Sequence, residues 1–249
     1  MNPRASLDSV AKTFANGVEA LGPVSFDIRA GEFFSLVGPS GCGKSTALRV
    51  IAGLLEPSAG KIEWPGARPR LGFVFQDPTL MPWATARDNV RLPLDLKHVP
   101  RAEADERAST AMARVGLSGF EDAYPRALSG GMRMRVSIAR ALVAEPELLL
   151  MDEPFAALDE LTREQLNEDL LKLWREDRMT VVFVTHSVYE SAFLSTRIAV
   201  MTPRPGRIAI TLDFKPPDIR DHAWRLSTEF GQQAAAVSRA LRNAMSEAA

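Results

Sequence analysis

Phe33-Phe34-Ser35-Leu36-Val37-Gly38-Pro39-Ser40-Gly41-Cys42-Gly43-Lys44-Ser45-Thr46 is the stretch from which the rest of the chain can be read. Its first five residues form a short apolar run of strand length. From Ser45 the pattern turns helical, with Leu48, Ile51 and Leu55 at helical spacing, and Pro57 and Gly60 are expected to close that segment. Between strand and helix, Gly38 to Ser45 satisfies G-x-x-x-x-G-K-[ST] in the setting the motif requires. Glycines let backbone N–H groups converge on phosphate oxygens, and a helix N-terminus adds the positive end of its dipole. Lys44 supplies a mobile charge for the β- and γ-phosphates, the Ser45 hydroxyl can ligate Mg2+, and Thr46 can reach the α-phosphate. Cys42 is the one cysteine in the chain. With no second thiol to pair with, it is expected to serve the loop through its backbone.

A phosphate loop needs a carboxylate for its metal. Leu148-Leu149-Leu150-Met151-Asp152 is an apolar strand ending in Asp, and Glu153 follows at once. Asp152 suits Mg2+ held through its water shell, and Glu153 suits a water attacking in line with the γ-phosphorus. Adjacent carboxylates at the end of a buried strand are hard to explain by solubility. The pair points to hydrolysis of a nucleoside triphosphate more than to transfer onto a bound acceptor.

Outward from these motifs the chain alternates strand and helix. Ser9–Phe14 and Val24–Ile28 read as β-strands, and so do Lys61–Trp64 and Leu71–Phe75, joined by a Pro-Gly-rich turn. From about Met81 to Glu145 the character changes. Ala104, Ala108, Ala111, Met112 and Val115 form a helical stripe, and Arg133–Leu142 is a second helical run. Afterwards the alternation resumes with helix Leu161–Arg175, strand Val181–Thr185, helix Val188–Leu194 and strand Ile198–Met201. This rhythm predicts an α/β fold with a mainly parallel, covered sheet, an antiparallel N-terminal part and an inserted helical subdomain at 81–145. Pro216-Pro217 marks a boundary between residues 1–217 and a tail, 218–249. In the tail Phe230, Ala234, Val237, Leu241 and Met245 share one helical face, which is expected to dock on the body.

Composition sets the outer limits. The chain has 249 residues, is 46% hydrophobic and 24% charged, and carries a formal net charge of −1. That balance argues against a general nucleic-acid or anionic-membrane binder, which would need a basic excess. Residues 1–17 lack the apolar core of a secretory signal, and no apolar run approaches the roughly 18 residues of a membrane span.

Over residues 5 to 212 the chain resembles the ATP-binding cassette family of P-loop nucleoside triphosphatases. The decisive element is Leu128-Ser129-Gly130-Gly131-Met132, ahead of the helical run RMRVSIARAL. Ser-Gly-Gly at a helix start is a second anion nest, which a chain with one phosphate loop does not need for one nucleotide. The resemblance implies a head-to-tail homodimer in which Ser129, Gly130 and Gly131 of one copy reach the γ-phosphate held by the other. It implies that Gln76 contacts Mg2+ and the attacking water, and that Ala157-Leu158-Asp159 passes between protomers. His186 would then hold the γ-phosphate and orient Glu153, and Phe14 would stack on adenine, its alternative being a place in the core. Gly38, Pro39, Ser40, Gly41, Cys42, Gly43, Lys44, Ser45 and Thr46 would cradle ATP, with Ser45, Gln76 and Asp152 on the magnesium. Three positions depart from the common family pattern: Met132 and Met134 stand where Gln is frequent, and Ser187 where Asp is frequent. None removes a group assigned to phosphate or water.

The branch is narrowed by Asp77–Val90 and by Phe193–Ile208, which contains Thr202-Pro203-Arg204-Pro205-Gly206-Arg207. Both are similar to the importer ATPases that serve nitrate, sulfonates, taurine and pyrimidine precursors. A single nucleotide unit without a fused membrane domain fits the same branch. The implied setting is the cytoplasmic face of the cell membrane, beneath separate permease subunits and indirectly a solute-binding protein, with no nucleic-acid partner. Met81, Pro82 and Trp83 are candidates for the permease contact, burial inside the subdomain being the equal alternative for Trp83. An exporter subunit, and a soluble cassette acting on DNA or ribosomes, are the rival readings.

Overall fold

A computed structural model of the chain describes residues 3–246. In order it runs β1 (Pro3–Thr13), β2 (Glu19–Arg29), β3 (Phe33–Val37), α1 (Lys44–Ala52), β4 (Ala59–Glu63), β5 (Leu71–Val74), α2 (Ala86–Asp95), α3 (Arg101–Arg114) and α4 (Gly130–Leu142). It continues through β6 (Leu148–Asp152), α5 (Glu160–Asp177), β7 (Thr180–Thr185), α6 (Val188–Leu194), β8 (Arg197–Met201), β9 (Ile208–Asp213), α7 (His222–Arg225) and α8 (Thr228–Ser246). These elements fall into two units, one from the two ends of the chain, up to Arg68 and from Asp177, the other Pro69–Glu176.

In the first unit, β3 lies between β7 and β8 with both pairs parallel, and β9 closes the edge antiparallel to β8. Every residue of β3, β7 and β8 is buried, as expected of strands covered on both faces. A separate antiparallel sheet has the order β2-β1-β4. The strand expected at Ser9–Phe14 starts much earlier, at Pro3, and stops at Thr13. Its pairing with β2 shifts register at four places, and Ser9 takes a positive φ of 51°, so buried and exposed residues do not alternate cleanly along it. Lys61–Trp64 and Leu71–Phe75 do not become neighbours: β4 pairs with β1, whereas β5 pairs with β6.

Helix α1 ends at Ala52, earlier than Pro57 and Gly60 suggested. Gly53, at φ 73°, is the cap, its N–H bonding back to the Arg49 and Val50 carbonyls, and Leu55 lies beyond the helix. The tail helix α8 packs Val237 and Ala244 against Val37, Ile198 and Val200. Met245 is 48% exposed and does not share that face. Polar groups pin the tail as well: the Arg220 guanidinium donates to the Phe193 and Leu194 carbonyls, and the Gln233 amide to that of Ala192.

The second unit holds the parallel pair β5 and β6 and the helices α2, α3 and α4 packed on one another. All five residues of the predicted α3 stripe are buried. Helix α2 was not foreseen from hydrophobic periodicity. A Thr85–Asp88 capping box starts it, and Pro93 is accommodated in its last turn. Arg91 on α2, its side chain 7% exposed, faces Asp88, Asp95 and Asp105 at 2.9, 3.0 and 2.6 Å. Among the described residues, no helix is long and apolar enough to cross a membrane.

Candidate nucleotide site

Within the first unit, buried β3 delivers the chain to Gly38, and the loop from Gly38 to Gly43 returns it into α1. A Cβ on Gly38 would lie 2.8 Å from the Cys42 sulfur, and one on Gly43 would lie 2.3 Å from the Ala20 carbonyl oxygen. Gly43, at φ 105°, is the N-cap of α1 and provides no side-chain cap, and no acidic residue occupies the first turn. The helix therefore presents its N-terminal amides without a carboxylate of its own, as a phosphate site requires. The Lys44 ammonium is buried and donates to the Gly38 and Pro39 carbonyls at 2.9 and 3.0 Å, folded back along the loop it belongs to. Ser45 and Thr46 are half-buried on the first turn. Cys42 is a buried thiol set against Gly38, a packing position.

His186 follows β7 and is exposed. The turn that carries it is tied on both sides. Thr185 Oγ1 donates to the buried Glu190 carboxylate at 2.5 Å and accepts the Ser187 N–H at 3.0 Å. Ser187 caps α6 by accepting the Glu190 N–H at 3.2 Å. The departure at Ser187 thus has a structural use, and Glu190 is a residue that sequence reading passed over. Phe14 is 40% exposed in the turn after β1, with the Lys12 ammonium 5.8 Å from its ring centre. It is not a core residue.

Within the second unit, Asp152 is buried at the end of β6, and Glu153 next to it is half-buried with a positive φ of 45°. A left-handed backbone at a non-glycine residue costs about 1–3 kcal/mol and tends to mark functional positions. Gln76 is exposed just after β5. The segment behind it is held by Arg140 of α4, whose guanidinium donates to the Pro78 and Thr79 carbonyls at 2.7 and 3.0 Å. Burial pushes the Arg140 pKa down from its usual value. Trp83 is 77% exposed, which removes the alternative of burial for it.

Ser129 caps α4, accepting the Met132 N–H at 3.2 Å while remaining exposed. Met134 is buried on the inner face of α4. Gly130 and Gly131 lie beside the start of α5: a Cβ on Gly131 would stand 2.6 Å from the Thr162 methyl, and one on Gly130 3.5 Å from Leu158. The Ser-Gly-Gly turn and the Ala157-Leu158-Asp159 segment of the same chain are therefore packed together. Arg133 donates to the Leu128 carbonyl and Arg163 to the Leu158 carbonyl, holding both segments from within their own helices. Asp159 caps α5 by accepting the Thr162 N–H at 3.0 Å, and that bond holds its carboxyl below the usual carboxylate range. Arg133, Arg140 and Arg163 had no sequence signal beyond being arginines on helices, since each acts on a backbone carbonyl.

Among the described residues, no group of three or more His, Cys, Asp and Glu side chains is gathered as a metal cage. Ser45 in the first unit, and Gln76 and Asp152 in the second, each carry an oxygen donor of the kind a hard cation takes.

Comparison with known proteins gives the family. The family model described as ABC transporter matches residues 21–156. The ABC transporter ATP-binding protein MJ0412 of Methanocaldococcus jannaschii is 48% identical, over 92% of this chain and 88% of its own length. A taurine import ATP-binding protein of Rhizobium johnstonii is 49% identical, over 82% of this chain and 79% of its own. Among solved structures, the dimeric bacterial ABC transporter cassette MJ0796 superposes with a TM-score of 0.76 at 35% identity, covering 86% of this chain and all of that one. The chain belongs to the ABC transporter family, as one of its ATP-binding, ATP-hydrolysing subunits.

Proposed function

We propose that the chain powers a bacterial-type importer of a small solute of the nitrate, sulfonate, taurine or pyrimidine-precursor type, working as a head-to-tail homodimer on the cytoplasmic face of the membrane beneath separate permease subunits. The presence of two anion nests in one chain supports this reading most: Gly38–Thr46 on α1, and Ser129–Gly131 on α4. One nucleotide needs only one nest from each protomer, so two copies can share two nucleotides. The likeness to a taurine import protein supports the solute class.

In this mechanism the amides of Gly41 to Thr46 and the Lys44 ammonium bind the phosphates, and Phe14 stacks on the base. Ser45, Asp152 and Gln76 would hold magnesium, which would supply positive charge against the phosphates. Glu153 accepts a proton from the water whose oxygen attacks the γ-phosphorus, as the bond to the bridging oxygen of ADP breaks. His186 orients Glu153 and holds a γ-oxygen. Ser129 and Gly131 donate to the γ-phosphate held by the partner copy, and Asp159 lies along the shared edge. ATP closes the pair and hydrolysis reopens it, which the permease converts into alternating access.

Glu153→Gln tests the chemistry. Removing the proton acceptor is expected to lower turnover by about 100-fold or more while ATP binding is retained. Near-normal hydrolysis by this variant would take the base role away from Glu153.

A further inference from the structure

The segment Thr202-Pro203-Arg204-Pro205-Gly206-Arg207, distinctive in the sequence and unused by the mechanism above, folds as a strap on the phosphate loop. Its base is closed by two bonds between Thr202 and Arg207: the Thr202 N–H donates to the Arg207 carbonyl at 2.9 Å, and the Arg207 N–H donates to the Thr202 hydroxyl at 3.0 Å. On one side it is fastened to β2, where the Gly22 N–H donates to the Gly206 carbonyl at 2.9 Å. On the other side it meets the loop in two places. A Cβ on Gly206 would fall 1.9 Å from the Cys42 carbonyl oxygen, so the two backbones touch with no room for a side chain. The Arg204 Nε donates to the Gly41 carbonyl at 3.0 Å, and the guanidinium lies so close over Gly41 that a Cβ there would be 3.2 Å from Nη2. Arg204 is exposed, and none of the ion pairs found among the described residues draws its charge to a carboxylate.

We infer that Arg204 is a positioning residue for nucleotide binding, acting through the Gly41 carbonyl. Gly41 has a φ of 74°, and a glycine in that conformation has more freedom to leave it than any other residue would. A charge-assisted bond to its carbonyl fixes the Gly41–Cys42 peptide plane before nucleotide arrives, and with it the direction of the amides that follow. Since those amides serve the phosphates common to ADP and ATP, the gain applies to both nucleotides and not to the chemical step. The inference rests on the phosphate loop holding the nucleotide, as proposed above.

The test is calorimetric binding of ATP and of ADP to the full chain, with steady-state hydrolysis and thermal unfolding on the same samples. Arg204→Ala is expected to weaken both nucleotides alike, by roughly three- to tenfold, with kcat at saturating ATP and the nucleotide-free unfolding midpoint unchanged. Arg204→Lys, which still brings a cation to the carbonyl, is expected to recover most of the loss. Unchanged affinity would overturn the inference. So would a loss confined to ATP, which would make Arg204 a γ-phosphate contact, or a fall in kcat at unchanged affinity. A midpoint that drops in step with affinity would reduce Arg204 to a stability residue. If the unaltered chain bound neither nucleotide, the ATP reading itself would fail, a result separable from any of these.

Discussion

Gly43 shows how much of the site is decided by single residues. Its φ of 105° and the 2.3 Å separation of a built Cβ from the Ala20 carbonyl leave neither the conformation nor the space for a side chain. Gly17 also has a positive φ, 82°, but nothing stands within 4 Å of a Cβ there. Gly17→Ala is therefore expected to cost about 1 kcal/mol from backbone strain alone. Gly43→Ala is expected to cost several times that, about 3 kcal/mol or more, and to abolish nucleotide binding, because the strand below the loop must move. Denaturant titration of the two variants beside an ATP-binding assay separates these outcomes; equal stability losses would mean that the loop gives way easily. Residues of this kind were legible in the sequence because the motif fixes both their type and their spacing. Arg204 and Arg140 were not, since each acts on a backbone carbonyl far along the chain, and Glu190 and Arg163 were not, since each acts on a hydroxyl or carbonyl five residues away that no motif marks.

At the scale of elements, periodicity recovered those that bury a continuous face. The buried runs of β3, β6, β7 and β8 and the stripe of α3 were readable. Elements held by polar or irregular devices were not. The bulges of β1 broke its alternation, Gly53 cut α1 short, and α2 is organised around a charged residue. That residue, Arg91, fastens α2 to itself and to α3 through three carboxylates. Arg91→Met keeps the stem but leaves three negative charges facing one another. It is expected to destabilise the protein by about 2 kcal/mol, less than a fully buried pair because the aspartates are about a third exposed. Asp105 is held below the usual carboxylate range by its hydrogen bond with Arg91. At Asp88, burial pushes upward but is outweighed by bonds from Thr85 and by Arg91, and the net direction is also down. A carboxyl depressed on folding stabilises above its unfolded pKa, near 3.8, and the benefit is lost as pH falls through the lower folded value. Unfolding followed from pH 6 downward (about, for a carboxylate titration) is expected to show this acid loss in the unaltered chain and a shallower one in Arg91→Met. Identical profiles would show that the clasp does not couple to protonation.

At the scale of the whole molecule, each of the two units carries one glycine-bearing turn at a helix start. One is the glycine loop ahead of α1; the other is the Ser-Gly-Gly turn capping α4, packed beside the Asp159 segment. The sequence announced both turns through their glycines, and it announced the carboxylate pair through the apolar strand before it. The central claim is that each nucleotide is completed by a second copy of the chain. It is tested most directly by sedimentation of Glu153→Gln with magnesium and ATP, where slowed hydrolysis preserves the closed state. The account predicts monomers without nucleotide and dimers with ATP, reverting to monomers when Ser129 is changed to Arg, which keeps ATP bound but blocks the second turn. A chain that binds ATP and stays monomeric throughout would contradict it.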